Sequence, residues 1–214
     1  MIGVIDYGAG NLHSLARGIV HVGGEALVSS DPDELAEQDA IVLPGVGHAG
    51  QLLDRLRHLG MDRAILDAVD RGTPFFGICI GMQILFGDQE EGGATGLGLL
   101  PGRVRHLRPG VKAPHMGWNL TRLRRDSPLG PAGDERYYYF VHSFVADDVE
   151  ERDVVATTNY GETFPSVVIR DHVWGTQFHP EKSADNGMAL LKAFVGMVDA
   201  RRLVPAGATE MAVR

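Results

Sequence analysis

The chain has 214 residues, of which 44% are hydrophobic, enough to bury the core of one ordinary domain. Its net charge of −8 argues against a general nucleic-acid binder, and a single cysteine excludes both an internal disulfide and a cysteine-built zinc site. No apolar run is long enough to cross a bilayer, and Met1 leads straight into an apolar strand pattern. Neither a secretory leader nor a membrane partner is expected, and a reducing cytoplasm is the consistent setting.

In chain order, residues 2–6 read as a buried strand that breaks at Tyr7-Gly8-Ala9-Gly10, and Asn11 offers a helix N-cap. Leu12, Leu15, Ala16, Ile19 and Val20 recur at helical spacing until Gly23 and Gly24. The glycine turn lacks the spacing of a dinucleotide-binding loop and reads as a tight strand-to-helix turn. A short strand at 26–28, an acidic helix at 31–37 and an all-apolar strand at 40–43 follow. Continuous apolar runs are the mark of a sheet covered on both faces. The loop at 44–50 carries three glycines whose backbone can approach a ligand closely. His48 within it has no neighbouring carboxylate and reads as a loop residue.

Helices at 51–59 and 62–69 return the chain to Pro74-Phe75-Phe76-Gly77-Ile78, a strand that runs into the lone Cys79 and then into residues 82–86, apolar and of helical character. Gly77 and Gly81 flank the cysteine by two residues on each side, so this is the pattern of a nucleophile elbow with a thiol where hydrolases often carry serine. The first helical turn favours thiolate, and the backbone N–H of Ile80 is positioned to meet an oxyanion. The strand-helix alternation predicts a doubly wound, mostly parallel α/β sheet with helices on both faces. Residues 102–180 read as a smaller, largely antiparallel section.

Within that section seven basic residues between Arg103 and Arg125 form either a solvated face or a docking surface for an acidic partner. Met116 and Trp118 lie in their midst and are residue types enriched at interfaces, although a buried tryptophan is equally consistent with the pattern. The β-prone run 137–144 ends in His142 and Ser143, of which His142 reads as structural. A strand at 172–179 ends in His179, and Glu181, two residues on along an extended segment, is within reach of its imidazole. A helix at 184–203 carries Leu190, Leu191, Phe194, Val195 and Val198 on one face. One domain over 1–204 and a frayed tail over 205–214 are expected.

GICIGMQ around Cys79, PGVGHAG at 44–50 and QFHPEKS at 177–183 resemble the class I glutamine amidotransferases. IDYGAGN at 5–11, PHMGWN at 114–119 and YYYFVHSF at 137–144 are similar to the branch that serves as glutaminase subunits of imidazole glycerol phosphate synthase, in histidine biosynthesis. The resemblance implies a catalytic triad of Cys79, His179 and Glu181, and an oxyanion hole from Ile80 with Val46 or Gly47. It also implies a glutamine site at Gly45, Gln83, Ser143 and Phe144. No cofactor or metal is implied, and ammonia would pass to a (β/α)8-barrel cyclase subunit in a heterodimer. The expected partner interface includes Asn11, Met116, Trp118 and Lys182. Alternatives are the glutaminase subunit of another synthase, such as one making anthranilate, a non-catalytic binding module of the same fold, and a cysteine peptidase.

Overall fold

A computed structural model describes residues 1–203. In chain order the elements are β1 (Ile2–Ile5), α1 (Leu12–His21), β2 (Ala26–Ser29), α2 (Pro32–Ala36), β3 (Ala40–Gly45), α3 (Ala49–His58), α4 (Met61–Asp70), β4 (Phe75–Cys79) and α5 (Ile80–Gln83). Then come β5 (Phe86–Gln89), β6 (Leu100–His106), β7 (His115–Leu123), β8 (Glu135–His142), β9 (Phe144–Asp147), β10 (Val154–Asn159), β11 (Thr163–Arg170), β12 (Val173–Thr176) and α6 (Ala184–Arg202). The expected frayed tail lies outside the described residues.

Nine strands form one sheet in the order β2-β1-β3-β4-β12-β11-β10-β7-β8. From β2 to β12 every neighbour is parallel, and from β12 to β8 every neighbour is antiparallel. The antiparallel section is thus joined edge to edge with the parallel one. β5, β6 and β9 form a separate three-stranded sheet with β6 at its centre.

The parallel strands β1, β3 and β4 are buried at every position, as continuous apolar runs demand when helices cover both faces. Helix α1 packs on α6, while α2, α3 and α4 form a second group. All five apolar residues expected on the inner face of α6 are buried. Asn11 precedes α1, but its side chain makes no capping bond. The helix is held instead by its buried face of Leu15, Gly18 and Ile19, while Val20, expected on that face, is exposed. No helix among the described residues is long and apolar enough to cross a membrane.

Two local expectations are corrected. Residues 82–86 do not form a helix through Phe86, because α5 is a single turn and Phe86 opens β5, whose backbone is satisfied by parallel pairing with β6. Strand β12 ends at Thr176, and Pro180–Lys182 is a 3-10 turn led by a proline, whose fixed φ suits the first position of a helical turn. The chain therefore bends, and does not extend, between His179 and Glu181.

Candidate active site

The site is built at the carboxyl ends of the central parallel strands, where open α/β sheets place their crevices. Cys79 ends β4 opposite Gly45 of β3 and has φ 55° and ψ −110°. A non-glycine residue at such angles costs of the order of 1–3 kcal/mol and persists only where the surroundings enforce it. The enforcement is backbone against backbone. A Cβ on Gly77 would lie 2.3 Å from the Gly81 carbonyl oxygen, one on Gly81 2.1 Å from that of Leu43, and one on Gly45 2.3 Å from the Gly81 nitrogen. Three strand and turn segments thus meet without side chains between them, and the sulfur is left facing a cavity.

That cavity, of about 290 Å³, is lined by Cys79, Ile80, Gln83, Gly45, Val46, Gly47, Ser143, Phe144 and His179, together with Glu91, Pro114, Val141 and His142. The structure therefore brings the expected nucleophile, base, loop and substrate-contacting residues to one place from distant parts of the chain. His179 Nδ1 lies 2.9 Å from Glu181 Oε1, and both side chains are nearly excluded from solvent. His179 Nε2 is buried without a hydrogen-bond partner. Burial acts to lower the His179 pKa, but the Cys79 sulfur and then the Glu181 carboxylate outweigh it and raise it to about 10.

The loop after β3 holds a second observation. The Val46 N–H donates to the Tyr7 hydroxyl at 2.9 Å, and Tyr7 is buried, lining a neighbouring cavity with Arg55 and Leu52. Gln83 is likewise engaged, its amide nitrogen donating to the Phe144 carbonyl at 2.9 Å and to Gln177 Oε1 at 3.0 Å. Among the surface residues, Met116 is 63% and Trp118 53% exposed, which excludes the buried-tryptophan alternative. Trp118 meets the Tyr139 ring edge-on at 6.3 Å, and Lys182 Nζ lies 5.9 Å from the same ring. The backbone N–H of His179 donates to the Tyr139 carbonyl, so this exposed cluster is one residue from the base. Asn11 is exposed and follows Gly10, which lies against Val46.

The glutamine amidotransferase class-I family matches residues 3–197. The chain belongs to that family. Relatives known as imidazole glycerol phosphate synthase subunit HisH include one from Geobacillus thermodenitrificans, 48% identical and covering 94% of this chain and 98% of the relative. Another, from Bacillus subtilis, is 46% identical and covers 92% and 96% of the two chains. These place the chain in the HisH group of class-I glutamine amidotransferases. Among solved structures, a glutamine amidotransferase aligns with TM-score 0.75 at 21% identity, covering 92% of this chain and 98% of its own, a likeness of fold.

Several residues in and behind the cavity of this amidotransferase are not evident from its sequence. Glu91 comes from the glycine-rich stretch after β5, and its carboxylate accepts from the Ala49 N–H, which no spacing foretells. Gln177 stands inside the QFHPEKS motif, yet only its contacts give it a task. The basic stretch is resolved in part by pairing: Arg103 meets Asp147 and Asp148, Arg105 meets Asp147 and Glu162, and Arg108 meets Glu162. Those three arginines are paired with acidic residues of the same chain.

Behind the Ser143 segment lies a chain of neutral donors. Asn119 Nδ2 lies 3.2 Å from His115 Nε2, His115 Nδ1 lies 2.9 Å from His142 Nε2, and His142 Nδ1 lies 2.9 Å from the Phe144 carbonyl. One tautomer satisfies all three contacts, with each imidazole donating from Nδ1. Burial lowers the His115 pKa to about 4. For His142, burial likewise dominates, with the Phe144 carbonyl opposing it and His115 and His179 adding to it, and the pKa falls to about 3. Both rings are neutral in the folded chain and protonate near pH 6.5 when unfolded, so the stability they contribute is present above 6.5 and lost as pH falls toward 4. His179 has the opposite sign, its contribution being present below 6.5 and lost as pH rises toward about 10. Urea unfolding between pH 7 and 4.5 is expected to show stability declining with uptake of up to two protons. A flat profile over that window would contradict the assignment.

Proposed function

We propose that the chain is the glutaminase subunit of an imidazole glycerol phosphate synthase, working in the cytoplasm as a single domain over residues 1–204. The observation that carries this reading is the convergence of Cys79 and His179 on one cavity, with Glu181 bonded to the His179 ring behind it, in a chain of the HisH group. Glutamine enters with its side-chain amide carbon facing the Cys79 sulfur, held by Gly45, Gln83, Ser143 and Phe144. The thiolate attacks that carbon, and the oxyanion is received by the Ile80 N–H and by one from Val46 or Gly47. His179, protonated and oriented by Glu181, gives its proton to the departing ammonia. The neutral imidazole then removes a proton from water as the water attacks the thioester, and glutamate leaves. One glutamine and one water become glutamate and ammonia.

Ammonia freed at neutral pH without an acceptor is protonated and wasted, so cleavage is best coupled to a cyclase subunit of (β/α)8 form that turns it into imidazole glycerol phosphate and an aminoimidazole carboxamide ribotide. The exposed Trp118, Met116, Lys182 and Asn11 offer that partner a surface continuous with the base and the loop. The Val46 N–H, committed to Tyr7, supports a resting state in which the second oxyanion donor is withheld. The isolated chain is therefore expected to hydrolyse glutamine slowly, and addition of substrate-loaded cyclase to raise kcat by two orders of magnitude or more, the worth of about one oxyanion donor. Glutamate release measured with and without the cyclase tests this, and equal turnover in both would refute it.

A further inference from the structure

Gln177 is fully buried and has no place in the chemistry above, yet its side chain touches the nucleophile. Its Nε2 lies 3.7 Å from Cys79 Sγ, while its Oε1 accepts from Gln83 Nε2 at 3.0 Å. The direction of this amide is over-determined. Gln83 Nε2 must donate, because its other contact is the Phe144 carbonyl, so Gln177 Oε1 takes the second proton and Nε2 is left toward sulfur. The reverse orientation would set an oxygen against the sulfur and a donor against a donor. The Gln177 backbone is fixed too, its N–H donating to the Ser166 carbonyl at 3.0 Å.

The sulfur has a second neighbour of opposite preference. Cys79 Sγ lies 3.7 Å from the Val141 carbonyl oxygen, a contact that suits the neutral thiol as donor and turns repulsive once the proton leaves. The amide of Gln177 behaves the other way, since an N–H strengthens its bond as its acceptor gains charge. From this opposition we infer that Gln177 is a positioning residue that holds the Cys79 sulfur as the anion and fixes its direction, through a relay that begins at the Gln83 amide. The inference rests on the proposed glutaminase reading for its purpose and on the geometry alone for its chemistry.

The test needs no glutamine. In Gln177→Met, which keeps the length and removes the N–H, alkylation of Cys79 by iodoacetamide at pH 7 is expected to slow about tenfold or more, with the pH-rate profile displaced upward by about one unit. The urea-unfolded chains should react alike. A purely packing role would leave the profile of the folded variant where it was, and that result overturns the inference. Should Gln177→Met fail to fold, the unaltered chain suffices: the side-chain amide proton of Gln177, followed by NMR, should move with pH as the thiol ionises and stay still in Cys79→Ser. An unmoving signal in the unaltered chain is equally decisive against it. The glutaminase reading fails separately, if the unaltered chain with its loaded cyclase leaves glutamine intact.

Discussion

Cys79→Ser is expected to reduce glutamine hydrolysis by about four orders of magnitude or more while shifting the melting temperature by only a few degrees. The elbow sets the proposed nucleophile against one helical turn, one amide donor and a nearby imidazole. A hydroxyl is too weak an acid for the same surroundings to ionise, so the substitution removes the attacking anion and little else. The hydrogen bonds of the buried sulfur with Val141 and Gln177 are long, 3.7 Å each, so the fold loses little. A glutamine analogue carrying a chloroketone should alkylate the unaltered chain once, with the added mass on the peptide that contains Cys79, and should leave Cys79→Ser unmodified. Turnover retained by the serine variant, or an adduct on another residue, would exclude the proposed nucleophile.

Gly81→Ala is expected to be strongly damaging. The added methyl would sit 2.1 Å from the Leu43 carbonyl oxygen, a backbone atom of a fully buried central strand that has no room to retreat. Overpacking of this kind costs about 3 kcal/mol or more, a large share of the ordinary stability of a domain. The melting temperature should fall by roughly 10 °C, or the variant should fail to accumulate as soluble protein. The control is Gly196→Ala within α6, where a methyl meets nothing within 4 Å and φ is unexceptional. There alanine should stabilise by about 0.5–1 kcal/mol through helix propensity alone. Thermal melts of the two variants side by side separate a glycine kept for space from one that is not.

The central parallel strands are legible in the sequence because each is a run of apolar residues with no polar alternation, and the helix at the end because its five core residues recur at one spacing. The elbow is legible for the same local reason, a strand meeting paired glycines. The segment after Cys79 is not. Met82, Ile84, Leu85 and Phe86 are equally apolar in a helix or a buried strand, and the choice is made by pairing with β6, which joins Phe86 to Leu100. The contact between His179 and Glu181 is legible only in its partners, since the proline between them starts a turn that spacing along an extended chain does not foresee. Glu91, Gln177 and the His115–His142 pair owe their placement to contacts across 27 to 98 positions, and no local pattern carries such information.

Strand β12 is the hinge of the sheet's logic, parallel to β4 on one side and antiparallel to β11 on the other. Its pairing with β4 joins Phe75 to Val173, far apart along the chain. Closing so long a loop is among the slower steps a chain of this kind takes. Sulfur and imidazole ride on opposite sides of that seam, so the proposed pair comes together only once Val173–Thr176 has docked against Phe75–Ile78, and assembly of the site waits on that long-range closure.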